Sequence, residues 1–119
     1  MKVECFENHI LLLLDQWSEL KLKLIQLFEN RDRKNTLGPM QEGIDLFLNF
    51  LSWSNDIVRD DLSMNYSALH WKPVNVNERL EFIKQRPNLY HSFIQLVELM
   101  SEQEKQYRKK IAIKKVTKQ

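Results

Sequence analysis

Apolar residues at Ile10, Leu13, Trp17, Leu20, Leu24 and Leu27 step by three and four. That spacing places them on one face of a helix running to about Glu29. Leu12 and Leu22 lie off this stripe, so coverage on more than one side is expected. The polar stretch "NRDRKNTLGP" follows and predicts a loop closed by a Gly-Pro stop. Met40, Ile44, Phe47, Leu48 and Leu51 then form a second stripe, widened by Phe50 and Trp53.

Periodicity fades in "NDIVRDDLSMNYSALHWKPV". A structureless connection of about 20 residues is unusual in a compact domain. A short helix or turn around Ile57 to Met64 is therefore expected, then an extended run through "HWKP". Val76, Leu80 and Ile83 mark a third helix, and Asn75 with Glu78 resembles a capping box. Pro87 ends that helix and suits the first position of the next, where its missing N–H is no loss. Leu89, Phe93, Leu96, Met100, Tyr107 and Ile111 define a last helix from about Asn88 to Val116, with Gln103 at the one polar step.

The expected fold is all-α: a compact bundle of about four main helices with an irregular connection between the second and third. Residues 1–119 read as a single helical domain with a basic C-terminal tail, 105–119, whose last two turns are expected to fray. The core is expected to draw on Leu13, Trp17, Leu20, Leu24, Phe47, Leu51, Leu80, Ile83, Phe93, Leu96 and Met100. The spacing from Ile10 to Leu27 suits packing within the chain and across a homo-oligomer alike.

Composition changes this picture in several places. Two glycines and three prolines in 119 residues leave no glycine-rich phosphate loop. A single cysteine, Cys5, excludes an internal disulfide, so a reducing cytoplasm is the expected location. The apolar run Ile10 to Leu14 ends at Asp15, too short for a signal segment or membrane span. Net charge is +2, yet seven basic and no acidic residues fall between Lys105 and Gln119, leaving 11 basic against 16 acidic residues before them. An acidic body thus carries a basic tail.

Candidate chemistry is sparse. His9, His70 and His91 are scattered, and Asp60 and Asp61 are adjacent, so their side chains diverge on a helix. No metal-ligand spacing results, and no metal or cofactor is expected. His91 and Ser92 likewise point apart, no nucleophile elbow is present, and no catalytic residues are assigned. Two binding surfaces remain. Arg86, Asn88, Tyr90 and His91, fed by Trp71 and Asn75, form a candidate patch for a protein partner or a structural corner between helices. Arg86 is expected to pair with Glu78 or Glu81, or to cap carbonyls there. Arg108, Lys109, Lys110, Lys114 and Lys115 are candidate nucleic-acid contacts. Tyr107 is the lone aromatic beside them, and the acidic body opposes a broad nucleic-acid face. A membrane surface, touched by Ile111, Ile113 and Val116, is the least favoured partner.

The stretch "WKPVNVNERLEFIKQRPNLYHSFIQLVELMSEQEK", residues 71–105, resembles the core of the YpoC family of small proteins from Gram-positive bacteria. "MQEGIDLFLNFLSW", residues 40–53, is similar to the same family's earlier helix, and together the two cover about half the chain. The resemblance implies a cytoplasmic protein and brings no catalytic residues with it. The expected function is a non-enzymatic interaction or adaptor module, with a nucleic-acid-binding module as the alternative.

Overall fold

The computed structural model describes residues 6–59 and 65–117. Cys5, Asp60, Asp61 and positions 60–64 of the expected turn lie outside them. Among the described residues four helices carry the fold: α1 (Glu7–Glu29), α2 (Leu37–Ser54), α3 (Val76–Gln85) and α4 (Tyr90–Thr117). Short 3-10 turns at Lys34–Thr36 and Tyr66–Ala68 punctuate the connections. The α1 stripe is buried at Ile10, Leu13, Trp17, Leu20 and Leu24, and all eleven expected core positions are buried.

α2 sits between α1 and α4. Gly43 faces both neighbours: an added Cβ would lie 2.8 Å from Leu96 Cδ2 and 3.3 Å from Trp17 Cζ3. A side chain there would force these buried groups to shift. α1 starts without a side-chain cap. Its first turn is held instead by rings, Phe6 stacking on Trp53 at 5.8 Å and His9 meeting the same indole edge-on at 5.6 Å. α1 and α2 end alike. Arg31 (φ 56°) and Asp56 (φ 61°) turn left-handed, and the next N–H reaches back to Leu27 O and Ser52 O respectively. This closure usually takes glycine, because a Cβ is strained in that conformation.

Several local expectations are corrected. Gly38 and Pro39 do not stop a helix; they occupy the first turn of α2, where backbone N–H groups have no helical partner for proline to remove. Of the short helix or turn expected around Ile57 to Met64, residues 57–59 are irregular and 60–64 lie outside the described residues; a 3-10 turn follows at Tyr66–Ala68. Asn75 builds no capping box: it is left-handed (φ 55°) and its side chain makes no cap hydrogen bond. Leu12 and Leu22 gain no cover and are 61% and 65% exposed.

The irregular connection is tied down by polar groups of the core. Asn55 Nδ2 donates to Trp71 O (2.8 Å), and Asn55 Oδ1 accepts from Trp71 N (2.8 Å). Gln103, fully buried, donates to the same Trp71 carbonyl at 3.0 Å. The polar step in the α4 stripe is therefore where the helix meets backbone rather than side chains. One turn pair further on, Lys110 donates to Ser54 O (2.6 Å) and Asp56 Oδ2 (2.8 Å), holding the C-terminal half of α4 to the end of α2.

Candidate functional site

The junction between α3 and α4 is a β-turn over Arg86–Leu89, closed by Leu89 N–H to Arg86 O at 3.3 Å. Pro87 takes the second turn position, where its fixed φ is pre-set, instead of the first helical position expected from the sequence. Buried Ser92 locks the turn from below, its hydroxyl donating to the same Arg86 carbonyl at 2.5 Å. From the sequence Ser92 is weighed only as a nucleophile beside His91; its role in the turn is visible only once the turn has formed.

This turn launches α4 with Tyr90 and His91 about 100° apart around the axis. They consequently serve different sides of the helix. Tyr90, 60% exposed, meets Phe28 of α1 edge-on at 5.7 Å. His91 meets Phe82 of α3 at 5.7 Å with the rings nearly perpendicular. Of the six residues of the expected patch, Asn75 and His91 share one groove, while Arg86 and Asn88 lie exposed on the turn. Trp71 is held by its own backbone hydrogen bonds and packs edge-on against His70 at 4.4 Å. Arg86 is not engaged by Glu81, which accepts from Gln85 at 3.2 Å.

The groove between α3 and α4 has a volume of about 310 Å³ and is lined by Asn75, Glu78, Arg79, Phe82, His91 and Gln95. Arg79 is its fixed point. The guanidinium makes a two-pronged pair with Glu102 (2.9 and 2.8 Å), approaches Glu98 at 3.8 Å, and donates to Gln95 Oε1 (3.1 Å) and Val74 O (3.0 Å). Hydrogen bonding from Arg79 holds the Glu102 carboxyl below the usual glutamate range, more than offsetting its partial burial. Hydrogen bonding to Glu102 in turn raises Arg79 further. The sequence did carry a signal for this pair. Glu98 and Glu102 are four apart on one helix face, an unfavourable like-charge spacing unless a cation sits beside them.

The basic tail is less available than its letters imply. Lys110 is buried on α2 and is thus withdrawn from the expected nucleic-acid contacts. Arg108 pairs with Glu104 at 2.7 Å. Lys109, Lys114 and Lys115 are exposed, but their positions point in three directions around α4 rather than along one stripe. Among the described residues, no group of three or more His, Cys, Asp or Glu is placed to hold a metal ion, and no helix is long and apolar enough to cross a membrane.

Comparison with known proteins gives a family. The profile of the YpoC-like protein family matches residues 7–115, which extends the likeness through α1 and the basic end of α4. A protein of Bacillus subtilis (strain 168), "Uncharacterized protein YpoC", is 33% identical over 105 residues. Those residues cover 86% of this chain and 64% of that protein, so the chain spans about two thirds of its relative's length. No solved structure matches.

Proposed function

The chain belongs to the YpoC-like family, and we propose that it acts as a non-enzymatic cytoplasmic interaction module that docks a segment of a partner protein into the α3–α4 groove. One observation carries this reading: the groove joins an aromatic floor, Phe82, to polar groups of both kinds on a frame that the Arg79–Glu102 pair keeps in shape. Glu78 can accept and His91 can accept or donate at its rim, and Asn75 and Gln95 offer amide groups for a peptide backbone. A concave surface on which polar groups converge around an aromatic side chain can fix the orientation of an occupant. Exposed Arg86 and Asn88 stand at one end of the groove and extend the surface a partner would meet.

The nucleic-acid reading is less well supported, because Lys110 and Arg108 are committed within the chain and the remaining cations do not line up. The test uses a photo-crosslinking amino acid placed at His91 and, as control, at exposed Gln41 on α2. A discrete protein adduct at position 91 that is absent at position 41, and that is lost with Phe82→Ala in a chain of unchanged helical content, is the expected result. Equal labelling at both positions would remove the groove as a docking site. Salt-sensitive binding of labelled DNA or RNA that vanishes on deletion of 105–119 would favour the alternative.

A further inference from the structure

α4 has a second side, and it faces α1. At one end Phe28 contacts Tyr90 and Phe93, with rings 5.7 and 5.3 Å apart. At the other end Glu7 and Leu11 share a groove of about 460 Å³ with Arg108, Ile111 and Lys115. The two helices are therefore antiparallel. Because both rise about 1.5 Å per residue, fixing the two ends sets the levels between them. Asp15 lies level with Lys105, Ser18 with Ser101, and Leu22 with Val97.

This side is apolar and uncovered. Leu11 and Leu22 are eleven residues apart, three full turns, so they lie on one line of α1 and are 61% and 65% exposed. Ile94 and Val97 on α4 are only half-buried. The charges are unevenly shared: α1 presents Glu7 and Asp15, with Lys21 half-buried on its flank, and α4 presents Lys105 and Lys115, with Arg108 already paired to Glu104. Between Leu11 and Leu22 the same line carries Asp15 and Ser18, a mixture of exposed apolar and polar residues of the kind found at non-obligate interfaces.

We propose that the α1–α4 face binds a second copy of the same chain, about a twofold axis lying in the face and parallel to the two helices. That rotation sets α1 of one copy against α4 of the other, with levels preserved. Asp15 then meets Lys105 of the second copy, Glu7 meets Lys115, Leu22 packs on Val97, and the small Ser18 and Ser101 allow close approach at the centre. A twofold across the helices would instead set acidic α1 against acidic α1, which like-charge repulsion disfavours. The surface is self-complementary in charge and in apolar pattern, so this chain supplies both halves of what the face requires. The proposal is independent of the α3–α4 groove, which lies on the other side of α4.

Sedimentation velocity of the full chain, from micromolar to millimolar concentration at low salt, tests this. A concentration-dependent dimer is expected. Leu22→Glu should weaken it by about tenfold or more without changing the circular dichroism spectrum, because it places a charge in the apolar line. Asp15→Lys and Lys105→Asp should each weaken the dimer, and the two together should restore it. A monomer at every concentration overturns the proposal. So does a dimer indifferent to Leu22→Glu, or a double reversal no tighter than either single one.

Discussion

The two grooves that flank α4 are built from the same helix and by opposite means. On the α3 side the walls are polar, and the shape is set by one cation, Arg79, shared between Glu98 and Glu102 of a single chain. On the α1 side the lining is mostly apolar, with Glu7 on α1 facing Arg108 and Lys115 on α4. In the first groove the electrostatics are satisfied internally, so an occupant has to bring shape and hydrogen bonds. In the second only Arg108 is paired, with Glu104, so an occupant has to answer Glu7 and Lys115 with charges of its own. Neighbouring Tyr90 and His91 serve different sides of α4, toward Phe28 and toward Phe82, for the plain reason that a helix turns by 100° per residue.

The largest effect is expected where the α1–α4 spacing is decided. Gly43→Val drives branched atoms into the place already taken by Leu96 and Trp17, both buried. Overpacking of this kind should cost about 1–3 kcal/mol in denaturant unfolding. It should also push α1 from α4, altering the apolar groove while the Arg79–Glu102 pair survives. Retention of both grooves with full stability would mean that the spacing is set elsewhere.

A smaller effect separates the polar groove. Glu102 is held below the usual glutamate range in the folded chain. Its pairing with Arg79 therefore contributes fully above that range and is lost as pH falls through the lower folded value. Glu102→Gln should reduce stability at neutral pH by about 1 kcal/mol or less, because the carboxylate is partly exposed and screened. The difference from the parent chain should vanish in acid, with no change at the α1–α4 face. A difference that persists at low pH would show that packing, not charge, accounts for the pair.

The smallest change should alter neither groove. Arg31 holds a left-handed conformation at the end of α1, with φ 56°. Arg31→Gly removes the Cβ strain and, after the entropy that glycine gives the unfolded chain, should raise stability by about 0.5 kcal/mol. Loss of stability would mean that the arginine side chain itself supports the helix end.

Much of the core was legible because burial in helices follows a period that letters display. Every residue of the α1 and α2 stripes from Ile10 to Leu24 and from Met40 to Leu51 is buried. Gln103 was legible as an exception to the stripe, though not as the donor to Trp71 O. The turn residues were harder. Pro39, Asn75 and Pro87 were each read as a standard helix signal, and each takes a different local role. Proline and asparagine fit several conformations equally well, and the choice among them is made by what the flanking helices pack against. Lys110 was least legible. It stands among exposed cations in the chain, and only the position of Ser54 and Asp56, more than fifty residues earlier, gives it a buried partner.

By itself, then, the order of residues determined an all-α chain of four amphipathic helices, their core faces, and the family to which it belongs. Those properties depend on local spacing and on composition, both carried by one strand of text. Tertiary structure alone decided which polar groups meet: Arg79 with Glu102, Gln103 with Trp71, Lys110 with the end of α2, and Tyr90 apart from His91. A charged or polar side chain has no period that announces its partner, because hydrogen bonds and ion pairs are made by whichever groups the packed helices bring within about 3 Å.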